Sequence, residues 1–166
     1  MKVILCLLSL LFACTSFAQT TVKSKDYGVL EFVELDHGLA KVVDGTVDEL
    51  KKTPTGTHGW LNDFVITDVT DSIHIASKAN FGVVYEVKAK DTVDIDVNIE
   101  WIYPAKITNE KGETFKSINY TTKRPTNIPS ASSYSLDAPY EMVKGEWQMN
   151  IYLEKKKVYS RSFFLY

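Results

Sequence analysis

The stretch TVDIDVNIEWIYP, residues 92–104, places Val93, Ile95, Val97, Ile99 and Trp101 in one register and Asp94, Asp96 and Glu100 in the other. Successive side chains on a strand point to opposite faces, so this spelling makes a strand with one dry face and one wet face. A helix is excluded, because its apolar stripe returns every three to four residues. The same period of two recurs in residues 81–89 (FGVVYEVKA), where Phe81, Val83, Tyr85 and Val87 share a face, and in residues 147–153, where Trp147, Met149, Ile151 and Leu153 point inward while Gln148, Asn150 and Tyr152 point out. Long 3.6-residue periods do not appear, so the fold class is all-β.

Weaker strand signals fall at residues 61–69, 72–76, 114–122 and 134–136. Residues 27–35 (YGVLEFVEL) are apolar in both registers, as in a strand covered on both sides. The polar link Lys88-Ala89-Lys90-Asp91 predicts an antiparallel hairpin between residues 81–89 and 92–104. Pro104, lacking an amide hydrogen, is expected to end that strand. Turns are expected at 109–112, at the corner 137–140 and at Lys155-Lys156-Lys157, a loop at residues 123–133, and a long connection from Gly38 to Gly59 with one helical turn at 48–52. Some seven to nine short strands separated by turns predict an antiparallel β-sandwich with Greek-key connections. Phe81, Trp101 and Trp147 are its expected core anchors, since buried aromatics supply much of the apolar area of such cores.

The start of the chain reads differently. One cation at Lys2, an apolar run over residues 3–13 and small residues at Ser16 and Ala18 spell a secretory signal peptide, residues 1–18. That run is shorter than the ~20 apolar residues a membrane span requires. Residues 19–166 are then the secreted single domain, most simply periplasmic, with no transmembrane segment. A second reading takes Leu11-Phe12-Ala13-Cys14 as a lipoprotein box, with Cys14 carrying a lipid anchor. Both cysteines, Cys6 and Cys14, precede Gln19, so the domain has no thiol for a disulfide and core packing must carry its stability. With 19 Lys+Arg against 21 Asp+Glu the chain has a net charge of −2, and it lacks the clustered cations that nucleic-acid binding requires.

FGVVYEV, a long strand ending in WIYP, then YEMVKGEWQMNIYL and SRSFFLY together resemble a bacterial family of secreted domains of unknown function with an immunoglobulin-like sandwich. The resemblance runs from Asp26 to Tyr166. Its motifs, Phe81-Gly82, Pro104 and Gly145-x-Trp147, imply the fold and supply no active site.

Candidate sites are few. Asp94, Asp96 and Glu100 stand at a spacing that would suit paired glycosidase carboxylates, yet a row opposite five apolar residues is expected in water, where nothing separates its pKa values. The loop spacing of a calcium site is missing. His37, assigned to a turn before Gly38, His74, assigned to a polar face, and His58 have no metal-ligand spacing, so no metal and no cofactor is expected. No nucleophile motif is present. His58 and Trp60, in the glycine-flanked Thr57-His58-Gly59-Trp60, are the candidate binding residues, set against a reading in which Trp60 only covers the core rim.

The expected function is a secreted, non-catalytic binding module, its partner a protein or a glycan of the cell envelope. The alternatives are a small envelope-polymer hydrolase and a small outer-membrane β-barrel. The barrel is disfavoured because few strands reach the nine to eleven residues that a membrane strand needs.

Overall fold

The inward register of each alternating run forms the interior: Phe81, Trp101 and Trp147 have no exposed surface, and Val83, Tyr85, Val97, Ile99, Met149 and Ile151 surround them. The structure, a computed structural model, describes residues 20–50, 52–76 and 78–166, those at 60–63 by backbone alone. The leader, with Cys6 and Cys14, and the first domain residue, Gln19, lie outside the described residues.

Ten strands are described, somewhat more than the sequence suggests: β1 (Thr20–Ser24), β2 (Gly28–Glu49), β3 (Thr57–Asp68), β4 (Ser72–Ile73), β5 (Asn80–Lys88), β6 (Asp94–Thr108), β7 (Thr114–Pro125), β8 (Ser130–Ser135), β9 (Gly145–Leu153) and β10 (Lys156–Leu165). A 3-10 turn occupies Pro139–Glu141. They make two facing five-stranded sheets, β1-β2-β5-β8 with β3 also on β2, and β4-β10-β9-β6-β7. All pairings are antiparallel except a two-residue parallel contact between β4 and β10. Between the sheets the Phe81 ring meets Phe163, Trp101 and Trp147 edge-on at 5.2, 5.6 and 5.9 Å, an arrangement favoured by the ring quadrupole.

Several sequence expectations change. The anticipated β5–β6 hairpin is a crossover between sheets, because β5 pairs with β2 and β8 whereas β6 pairs with β7 and β9. Buried Thr126 and half-buried Asn127 hold that crossover: Thr126 N donates to Val93 O at 2.9 Å, and Asn127 Oδ1 accepts from Ala89 N at 2.9 Å. Pro104 does not end β6. Its missing N–H falls where β6–β7 pairing lapses between Ile102 and Ile107, so the strand continues through an irregularity at no cost in hydrogen bonds. The expected loop at 123–133 shrinks to residues 126–129. Residues 27–35 are not covered on both sides, since Val29 and Leu35 are exposed.

The largest change is at residues 38–59. These are neither connection nor helix but the long end of β2, a tight tip and the start of β3, paired from Leu39↔Asp68 to Glu49↔Thr57. Its glycine, threonine and aspartate content hides the strand, because these residues are poor strand formers. Gly38 has φ +137, and an added Cβ there would lie 2.0 Å from Asp68 O. Only glycine lets the two strands meet at this bend.

Candidate functional site

Beyond Ala40, the last β2 residue paired with β5, the β2–β3 hairpin leaves the sheet as an arm. Register shifts at Leu39/Ala40, Val42/Asp44 and Asp44/Gly45 bend it, as extra residues on one strand do. Its tip is closed by Leu50 N donating to Gly56 O at 2.9 Å, and by the Thr53 hydroxyl donating to Leu50 O and Thr57 O, both at 3.0 Å. The tip then docks on the sandwich: Pro54 O accepts from Asn109 Nδ2 at 3.2 Å and from the Tyr140 hydroxyl at 3.3 Å. Beneath the arm lies a cleft of about 420 Å³, within the size range of small-molecule sites.

The cleft takes a wall from each layer. The second sheet gives Trp101, Ile118 and Tyr120, the first gives Asn80 and Tyr134, and the arm gives Asp44 and His58. The His58 and Tyr120 ring centres are 4.4 Å apart. Burial holds the His58 imidazole below its ordinary 6.5; the Arg124 charge acts the same way and Asp48 opposes it. His58 is therefore neutral near pH 7. Burial also pushes the Tyr120 phenol well above its usual value.

One end of the cleft is tied by a buried polar chain. The Tyr134 hydroxyl donates to Glu141 Oε1 at 2.6 Å and stands 3.2 Å from the Tyr103 hydroxyl, while Glu141 Oε2 accepts from the backbone N–H groups of Asp137 and Ala138. Burial raises the Glu141 pKa, against the pull of the bonds from Tyr134 and Ala138. Elsewhere in the wall the Trp101 indole lies against the Tyr120 hydroxyl and opposes the effect of burial on that phenol, while the buried Asn80 Oδ1 has no donor, although Asn80 Nδ2 donates to Ser135 Oγ at 3.3 Å.

Of the two residues singled out by sequence, His58 lines this cleft; the Trp60 side chain lies outside what is described. The acidic row is on the outer face of β6. Asp94 and Asp96 are exposed, Asp96 pairing with Lys123 at 2.8 Å, and Glu100 accepts from Asn150 Nδ2 at 3.0 Å and the Tyr152 hydroxyl at 2.7 Å. Asn150, expected in water, is buried beside Glu100. His74 is exposed and meets the Tyr166 ring edge-on. His37 is not in a turn but within β2, opposite Val83. Its Nδ1 lies 2.7 Å from Glu34 Oε1, and Arg161 joins Glu34 to Asp71 with contacts of 2.8 and 2.7 Å. Sequence reasoning missed this cluster, because its members lie up to 127 positions apart. It missed Tyr120, Tyr134, Asn80 and Glu141 as cleft residues for the same reason. Among the described residues no group of three or more His, Cys, Asp or Glu could hold a metal ion, and no helix is long and apolar enough to cross a membrane.

The two-sheet architecture is shared with known proteins. An immunoglobulin-like protein from Pseudomonas aeruginosa, known from its crystal structure, superposes with a TM-score of 0.58 at 15% sequence identity, over 79% of this chain and 90% of that one. At that identity the likeness establishes the immunoglobulin-like fold alone. Curated proteins gave no match. A family model described as a domain of unknown function, DUF3859, matches residues 18–165, almost the whole chain, and the chain therefore belongs to the DUF3859 family.

Proposed function

We propose that this domain is a secreted, non-catalytic binding module of the bacterial envelope, and that it holds its ligand in the cleft under the β2–β3 arm. The observation that carries this reading is the arm itself. A hairpin that leaves its sheet and docks by its tip on Asn109 and Tyr140 roofs an aromatic and polar cleft of about 420 Å³, where a flat sandwich would offer none. The leader-like residues 1–18 support export to the periplasm, with attachment through Cys14 as the variant form. The ligand would come from the protein or glycan components of the envelope.

The test is a ¹H–¹⁵N spectrum of residues 19–166 titrated with soluble envelope extract. Shifts gathered at Asn80, His58, Tyr120 and Tyr134 are expected. Shifts spread over the outer sheet faces, or none at all, would refute the cleft as the site.

A second reading, hydrolysis of envelope polymer, draws on Asp44, Asp137 and Glu141 in the same wall. Both Glu141 oxygens already accept hydrogen bonds from the fold, which suits a structural carboxylate better than a proton-transfer group. Release of new reducing ends from envelope polysaccharide, abolished by Asp44→Asn, would establish this reading in place of the first.

A further inference from the structure

Leu39 and Ala40 have β3 on one side and β5 on the other. Past them β2 runs on to Glu49, whereas β5 reaches no further than Asn80, the partner of both Ala40 and Ser135. Among the described residues, β2 from 41 to 49 therefore has β3 on one side and no strand on the other. The cleft opens on that second side, for Asn80, residues 133–135 of β8 and residues 42–47 of β2 all line it. A strand that turns one face to a cleft contributes every second residue. Six in a row from β2 mean that its main chain forms part of the wall.

The phase of the ladder says which main-chain groups point there. Leu50 N donates across the arm to Gly56 O, and the register is regular from Gly45↔Leu61 to Glu49↔Thr57. Along an antiparallel pair the main-chain groups alternate sides. Thr46 and Asp48 thus face β3, as Leu50 does, while Gly45, Val47 and Glu49 turn their N–H and C=O groups away from it. This edge is open to solvent: residues 43–49 are all exposed, Val43 and Val47 by 57% and 69%.

Outward-turned N–H and C=O groups are a template for one more strand. Charge selects which strand. The edge carries Asp44, Asp48 and Glu49, the cleft adds Asp137 and Glu141, and no lysine or arginine is among the described lining residues. A second copy of the arm would bring a second set of the same acids into the ladder, which like charge opposes. Lysine or arginine on an incoming strand would meet those acids favourably, and its apolar side chains would cover Val43 and Val47. We infer that the cleft takes an extended polypeptide segment, basic and apolar by turns, added as a strand to residues 43–49 of β2. The inference rests on the cleft being the binding site, as proposed above, and adds the class of ligand: protein main chain, not glycan.

The folded domain, labelled with ¹⁵N, is titrated with nonapeptides that alternate lysine or threonine with valine, leucine or tyrosine. At least one is expected to shift the amides of residues 43–49 saturably and to slow hydrogen exchange at Val47 and Glu49. The same peptides with glutamate for lysine should bind at least tenfold more weakly. Methylating every second peptide nitrogen removes the N–H groups along one edge of the peptide. At least one of the two alternating sets should lose tenfold or more, the worth of one hydrogen bond. On the protein, Val47→Pro removes an outward N–H at an edge, where proline is tolerated, and should weaken binding by a similar factor. If Val47→Pro does not fold, the methylated peptides decide alone.

If no peptide of the series shifts residues 43–49, if the glutamate peptides bind as well as the lysine ones, or if both methylated sets bind like the parent, strand addition is overturned. Should envelope extract still shift Asn80, His58, Tyr120 and Tyr134, only the ligand class has failed. Should the extract leave them unmoved as well, the cleft reading has failed with it.

Discussion

Gly82 fixes how closely β8 can lie against β5, and replacing it tests the packing beside the cleft. A Cβ built at Gly82 would sit 2.3 Å from Ser132 O, 2.6 Å from Ser133 Cα and 2.7 Å from Ser133 Cβ. Ordinary contact begins near 3.4 Å, so Gly82→Ala must push the β8 backbone outward by about 1 Å. β8 is an edge strand held by β5 alone, so the strain is relieved by loosening their ladder. Overpacking of this kind costs about 1–3 kcal/mol, and one weakened backbone hydrogen bond adds about 1 kcal/mol. A total near 3 kcal/mol should lower Tm by about 6–12 °C in a domain of this size. Thermal unfolding followed by circular dichroism measures it. Gly59→Ala is the control, because a Cβ there meets nothing within 4 Å and should change stability by less than about 0.5 kcal/mol. A Gly82→Ala protein as stable as the wild type would refute the idea that β8 is pressed against β5 at this point. The displaced strand carries Tyr134, so the same variant should also disturb the cleft.

Three further outcomes are expected. Removing Arg161 as Arg161→Met leaves Glu34 and Asp71 facing each other; it should cost about 2–3 kcal/mol by chemical denaturation, less than the ~3–5 kcal/mol of a fully buried pair because Asp71 is partly open to solvent. Stability should respond to pH with opposite signs at two residues of the cleft wall. The His58 pKa is lowered on folding, so its contribution is intact above 6.5 and declines as pH falls below it; the Glu141 pKa is raised, so the folded state holds its proton longer and stability declines as pH rises through 4.5 and above. Tm against pH for His58→Gln and Glu141→Gln checks this, each variant flattening only its own limb. The double variant Asp94→Asn, Asp96→Asn should melt with the wild type, since both carboxylates are exposed on the outer face; a large loss of stability would contradict the wet-face reading of that row.

The alternating runs made much of this fold legible. Phe81, Trp101 and Trp147 stand in the core because the register that buries one residue of a strand buries every second one with it. Which strand pairs with which was not legible, since alternation is a property of a single segment: β5 and β6 carry the clearest patterns, stand next to each other in sequence, and belong to different sheets. The arm was hidden for another reason. Residues 43–49 of β2 are exposed instead of packed against a second sheet, so alternation has no dry face to record there, and glycine, threonine and aspartate look like a loop. Of the cleft, only His58 could be suspected beforehand, from its glycine-flanked setting. Tyr120, Tyr134 and Asn80 sit in ordinary strand sequence and become neighbours only once the arm folds over them.

β10 pairs with β9 along its length and touches β4 at its far end, so the last of the described strands is enclosed by earlier ones. No shorter fragment from the N-terminal side can complete the second sheet or supply Phe163 to the aromatic cluster around Phe81. Folding should therefore wait for β10 and then proceed in one cooperative step. A nick ahead of Lys156 should cost the whole domain its structure, where a nick in the tip of the arm would cost only the roof.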